Sequence, residues 1–124
     1  MQDHTKLQVF VMADELVPEV YRRTESFPST ERFGLQSQIR RAAVSVATNI
    51  VEGCGRRTGR ELLNFLTIAH GSAAETKYLI QLSRRLGFLD EEGSNDVAAR
   101  YEKVLRALGL IRKIESPEID TGKS

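Results

Sequence analysis

Apolar positions recur along this chain every three or four residues, the spacing that lines one face of a helix, and they fall into four stretches. The first covers about residues 7–23, with Val9, Met12, Ala13, Leu16, Val20 and Tyr21 facing inward. Pro18 lies inside it. A proline there removes one backbone hydrogen bond and crowds the carbonyl of Asp14, so a kink or a later true start is expected. Pro28 breaks the chain, and a second stretch opens at Ser29, or at Leu35 after Gly34. It runs to Glu52, where the glycines at 53 and 55 are expected to stop it. Thr58 followed by Glu61 has the spacing of a capping box and opens the third stretch. That stretch continues to Leu86 and ends at Gly87, about 29 residues or ~43 Å at about 1.5 Å per residue. Asp90 or Ser94 opens the fourth, which carries Val97, Tyr101, Val104, Leu105, Leu108 and Ile111 on one stripe. There is no alternating strand pattern, heptad array or internal repeat. Short links favour antiparallel neighbours, so the expected fold class is all-α, an antiparallel up-down-up-down four-helix bundle. One domain is expected over residues 1–115. A polar tail over 116–124, with Pro117 and Gly122, is expected to fray.

The second and third helices carry more apolar surface than one stripe each. On a helical wheel, Leu35, Ile39, Ala42, Ala43, Val46 and Ile50 fill an arc of about 100°, the width of a core-facing stripe. Gln38, Arg41, Ser45, Asn49 and Glu52 fill an adjacent arc of about 80°. Val44, Ala47 and Val51 occupy a third arc together with Arg40. The third helix has Leu62, Leu66, Ala69, Ala73 and Ile80 on one stripe and Ile68, Leu79, Leu82 and Leu86 on another. Gly71 and Glu75 lie within that second stripe. A mid-helix glycine costs ~1 kcal/mol relative to alanine, which points to close approach by another backbone. Two helices with two apolar stripes each imply a partner surface, most simply a second copy of the chain, and so a homo-oligomer. Gln38, Arg41, Ser45, Asn49, Glu52, Gly71, Ser72 and Glu75 then read as a hydrogen-bonded network at the edge of the core or at a subunit seam. A solvated face and a functional pocket are the two other readings of the same stripe.

Composition narrows the options. The 124 residues suit one domain, and an apolar fraction of 40% with 28% charged residues is that of an ordinary globular protein. A formal charge of +1 supplies no global field, so any attraction to nucleic acid must come from local clustering. The single cysteine, Cys54, excludes an internal disulfide and argues against a cysteine-based zinc site. It fits a reducing cytoplasm. No signal-peptide pattern opens the chain, and no run approaches the ~20 apolar residues that span a bilayer, so no membrane association is expected.

Reaction chemistry is sparse. Di-iron bundles need Glu-x-x-His pairs, and neither His4 nor His70 has a glutamate three residues earlier. His70 shares a wheel position with Thr67, Lys77, Gln81 and Arg85, which predicts a solvent-facing histidine. The arginine nearest before it is Arg60, too distant for a helical nuclease built on an arginine followed four to six residues later by histidine. Cys54 is flanked by Arg56 and Arg57, which could lower its pKa, yet no histidine stands nearby to serve as its base. The segment Gly53–Arg60 lacks the order of a phosphate-binding P-loop. No metal, cofactor or catalytic residue is expected. The remaining signal is a group of arginines, Arg40, Arg41, Arg56, Arg57 and Arg60, opposed between residues 36 and 60 by Glu52 alone. The last three flank the start of the third helix, whose dipole also attracts anions. Backbone-directed, salt-sensitive RNA binding is the functional expectation, and a structural or protein-interaction module is the alternative.

Two segments, "FPSTERFGLQSQIRRAAVSVATNIVEGCGR" and "FLTIAHGSAAETKYLIQLSRRLGFL", together resemble the four-helix-bundle proteins encoded in intervening sequences of 23S ribosomal RNA genes. The resemblance covers about residues 7–113 and rests on FP-x-x-E, Q-x-RRA-x-x-S-x-x-x-N-x-x-EG and A-x-GS-x-x-E in that order. Gln38, Arg41, Ser45, Asn49, Glu52, Gly53, Gly71, Ser72 and Glu75 stand at the family's signature positions. Pro18 departs from the family pattern. The resemblance implies a homopentamer with a central opening, association with RNA or the ribosome, and no catalytic residue set.

Overall fold

The structure, a computed structural model, describes residues 3–115. The expected tail over 116–124 lies outside the described residues. Four α-helices make up the bundle: α1 (Gln8–Thr24), α2 (Leu35–Cys54), α3 (Gly59–Arg85) and α4 (Glu91–Glu115). Short 3-10 turns at His4–Lys6 and Ser29–Glu31 precede α1 and α2. Among the described residues there is no strand, and none of the helices is long and apolar enough to cross a membrane. The most extensive packing is α2 on α3 and α3 on α4, with α1 closing the bundle against α2 and α4.

Each boundary has a local cause. α1 begins at Gln8 and runs unbroken through Pro18, so the later start expected from that proline is not found. Position 18 is exposed, and the ring therefore displaces no core side chain. The FP-x-x-E motif joins α1 to α2. Phe27 is buried and packs against Phe88 with ring centroids 5.5 Å apart, and Glu31 Oε1 accepts from the Leu35 backbone N–H at 3.2 Å. That carboxylate satisfies one of the orphan donors at the start of α2. α2 then extends beyond its predicted end at Glu52. Gly53 is helical and tightly packed: a Cβ there would lie 2.9 Å from Phe65 Cβ and 3.1 Å from Leu62 Cδ1. Of the two glycines, only Gly55 marks the end.

Thr58 caps α3 as predicted, its hydroxyl accepting from the Glu61 N–H at 3.1 Å. The Glu61 carboxylate reaches back to the same hydroxyl at 3.1 Å rather than to the Thr58 amide. α3 closes with a Schellman motif in which Gly87 takes φ +84°. The Gly87 N–H donates to the Arg84 carbonyl and the Phe88 N–H to the Ser83 carbonyl, both at 2.9 Å. Asp90 Oδ1 accepts from the Gly93 N–H at 2.6 Å and sets the start of α4.

The core follows the stripes read from the sequence with one exception on α1, where Tyr21, expected to face inward, is exposed. Leu16 and Val20 of α1, Ile39, Val46 and Ile50 of α2, Leu66 and Ile80 of α3, and Val97, Tyr101, Val104 and Leu108 of α4 are all buried. Burying each large aliphatic side chain contributes about 1.5–3 kcal/mol before conformational entropy is subtracted. One group stands apart from this apolar interior. Glu19 is buried, and its carboxylate binds Arg22, Arg23 Nε at 2.8 Å and Arg100 Nη1 at 4.0 Å. Of these contacts, the one to Arg100 reaches from α1 to α4.

Candidate functional site

The α2–α3 pair holds the residues singled out in the sequence, and its register decides which of them meet. Ser45 Oγ and Ser72 Oγ lie 2.8 Å apart, and Gln38 Nε2 donates to Glu75 Oε2 at 3.4 Å. Asn49 Nδ2 donates to the Ser45 carbonyl at 2.8 Å and to Ser45 Oγ at 3.0 Å. Ser45, Asn49 and Ser72 are half-buried, and their hydrogen bonds fasten α2 to α3. The other members face outward. Arg41, Glu52 and Glu75 are exposed. Glu52 accepts from Arg56 Nη2 at 3.1 Å, and Arg41 makes no ion pair among the described residues. The network is smaller than the stripe.

The second apolar stripes are likewise only partly external. Ala47 and Leu79 belong to the buried core, and Leu82 packs against it. What remains exposed is Val51 on α2, at 37%, with Ile68 at 50% on α3 and Leu86 at 54% at its C-cap. Tyr78 joins them at 53% exposure. The sequence reading passed over this residue, although it stands three positions after Glu75 and seven after Gly71. Ile68, Gly71, Glu75 and Tyr78 thus form an exposed stripe on α3 with the alternating three-and-four spacing of a helix seam. At Gly71 a Cβ would meet nothing within 4 Å. The close backbone approach expected there is not made within this chain.

The arginines do not form one patch. Arg40 turns toward α1: its Nε donates to Thr24 Oγ1 at 2.9 Å, and its Nη2 donates to the Tyr21 carbonyl at 3.1 Å and Glu25 at 3.4 Å. Its guanidinium also lies 4.5 Å from the Tyr21 ring centroid. Arg40 is a corner fastening, and the sequence-based placement in an anion surface is corrected. The reason is geometric, since adjacent residues on a helix point about 100° apart. From Arg41 to the end of α2 at Cys54 is ~20 Å along the helix, and Arg56 lies beyond that end. Arg56 is held by Glu52 and lies 4.7 Å from the Phe65 ring centroid. Arg57 and Arg60 are left as exposed cations at the start of α3.

Among the described residues no reactive centre emerges. Cys54 is buried at the end of α2, and burial pushes its thiol pKa up, with Asp3 adding to the effect. Arg56 and Arg57 contribute no lowering, and desolvation of the thiolate governs the shift. His70 is half-buried rather than solvent-facing. Burial, then the nearby Arg112 charge, lower its pKa. Among the described residues no group of three or more His, Cys, Asp or Glu side chains is arranged to hold a metal ion.

The family described as 23S rRNA-intervening sequence protein matches residues 5–109, from the turn before α1 into the last part of α4. The chain belongs to that family. A solved structure from Bacteroides thetaiotaomicron, a protein of unknown function from the S23 ribosomal protein family, superposes with a TM-score of 0.78. It is 23% identical and the match covers 85% of this chain and 95% of that one, a likeness that establishes the four-helix fold. No curated protein matches the chain. In this 23S rRNA-intervening sequence protein the motifs divide by role. Phe27, Glu31 and Gly53 build the corners, Ser45, Asn49 and Ser72 fasten α2 to α3, and Arg41, Gly71 and Glu75 stand on the open face.

Proposed function

We infer that this protein is a non-enzymatic, self-associating helical bundle of the cytoplasm. Copies cover one another along the α2–α3 face, and the corner at Arg57 and Arg60 contacts the phosphates of structured RNA. The observation that carries the reading is the exposed stripe Ile68–Gly71–Glu75–Tyr78, where a glycine with open space around it sits between Ile68 and Glu75, with the Tyr78 ring beyond. A lone monomer gains nothing from a mid-helix glycine, whereas a packed copy gains a close backbone approach. Five copies is the number the family resemblance implies. In a closed ring, Arg57 and Arg60 from each copy add into a band of positive charge next to helix N-termini, a surface suited to phosphates rather than to bases. The lone buried thiol suits a reducing compartment.

The test joins mass to binding. Light scattering at micromolar concentration should give an oligomer, and a monomer mass would reject the seam. Titration with structured RNA at two salt concentrations should show tighter, more salt-dependent binding for the native protein than for an Arg57→Ala/Arg60→Ala variant. Each lost phosphate contact lowers the logarithmic salt slope by roughly 0.7–0.9. Equal weak binding by both would leave the protein-interaction reading in possession, which the engagement of Arg40 and Arg56 inside the chain already favours over a broad basic surface.

A further inference from the structure

We propose that Arg41 of one copy forms an ion pair with Glu75 of a neighbouring copy, and that this pair sets how the copies align. The inference rests on the self-association reading and names the polar contact that reading requires. On the open α2–α3 face, the Glu52 charge is taken by Arg56 at 3.1 Å within the same chain. Lys77 turns away to Glu102 of α4 at 2.7 Å, and Arg85 lies 5.9 Å from the Tyr78 ring centroid, 10 residues beyond Glu75. Among the described residues, Arg57, Arg60 and Arg85 stand toward the two ends of this face, and midway along it the cation and anion without an ion pair are Arg41 and Glu75. The register fixed by Ser45 opposite Ser72 and Gln38 opposite Glu75 sets them on facing turns of α2 and α3. Even so, no ion pair joins them within the chain, and Glu75 receives one long hydrogen bond, from the neutral Gln38 amide.

Burial of the α3 stripe makes this arrangement consequential. Glu75 lies between Gly71, where another backbone can come close, and Tyr78, whose ring is half exposed. A copy seated there removes water from the carboxylate, which then needs a cation to stay charged at low cost. Arg41 is the unmatched cation that a second copy of the same face brings with it. The α2 edge of one copy therefore complements the α3 edge of the next in charge, the heterologous contact that a closed ring requires.

The experiment uses the full chain as Arg41→Glu, Glu75→Arg and the double charge swap, with Arg41→Gln and Glu75→Gln as milder companions. Sedimentation over a concentration series reads assembly, and helix melting at high dilution reads the single chain. Each reversal should weaken assembly at least tenfold in dissociation constant, each glutamine variant should weaken it less, and the swap should restore most of the loss. Melting of the dilute chain should not move. Singles that assemble like the native protein, or a swap no better than the singles, would overturn the pair while leaving the seam intact. A rescue seen equally in the dilute melt would show a contact within one chain and overturn it too. A native protein that sediments as a monomer would remove the seam and the pair together.

Discussion

Arg40 and Arg41 are neighbours in sequence and opposites in circumstance. At the α1–α2 corner, Arg40 donates to Thr24, Tyr21 and Glu25 and lies against the Tyr21 ring, with its side chain 22% exposed. One residue on, Arg41 extends from the α2–α3 face without an ion pair among the described residues. The bundle thus has a closed side, where polar groups meet inside the chain, and an open face, where they are left facing outward. The difference teaches that charge alone does not mark a functional surface. An arginine already supplied with acceptors is part of the fold, and one left unsupplied is available to a partner.

The comparison breaks most readily at Arg40. Truncation to alanine removes hydrogen bonds to the Tyr21 carbonyl and the Thr24 hydroxyl along with the packing of its stem. Denaturant unfolding should show a loss of about 2–3 kcal/mol for Arg40→Ala. The same change at Arg41 should leave the unfolding midpoint of the dilute chain where it was. Equal losses at the two positions would erase the distinction between the sides.

Acid tests the closed side next. Donation from Arg23 holds the Glu19 carboxyl below the ordinary glutamate value of 4.5, the opposing cost of burial being smaller and the Arg22 charge adding to the lowering. A carboxyl whose pKa is depressed on folding adds stability that is fully present above its unfolded pKa. That stability is lost as pH falls through the folded value. Glu19→Gln should therefore cost about 2 kcal/mol near neutral pH, with the difference from the native protein shrinking below about pH 4.5. A difference that stayed constant from about pH 6 to about pH 3 would mean that Glu19 acts through its shape rather than its charge.

Much of this architecture was legible in the sequence because helix periodicity and end signals are local. Thr58 with Glu61, Gly87 and Asp90 each announced a boundary that the structure keeps. Gly53 misled because its purpose is tertiary: it admits Phe65 and Leu62 of α3, and sequence spacing cannot tell such a glycine from a helix stop. Leu79 and Ala47 fall on outward arcs of the wheel yet are buried for a related reason: α2 packs against both α1 and α3, and α3 against both α2 and α4, which widens each buried arc beyond one stripe. Glu19 went unremarked, since its partners Arg22 and Arg23 look like an ordinary exposed cluster until Arg100 arrives from α4. Arg40 and Arg41 could not be separated by composition. Only the direction of each side chain divides them.

The smallest expected effect is the one that discriminates best, because its sign differs between two helical glycines. A methyl group at Gly53 would sit 2.9 Å from Phe65 Cβ, an atom fixed to the α3 backbone, so the helices must part slightly. Gly53→Ala should destabilise by about 1–3 kcal/mol. A methyl group at Gly71 would meet nothing within 4 Å in the single chain. There alanine's helix propensity should raise the stability of the dilute chain by up to ~1 kcal/mol. On the open face the same methyl group stands where a neighbour's backbone would come close, so assembly should weaken while each chain becomes harder to melt. Stability gained and association lost in one substitution cannot come from a damaged fold. If Gly71→Ala strengthened both, the glycine would be a tolerated gap in α3, and the seam would have to lie elsewhere on the bundle.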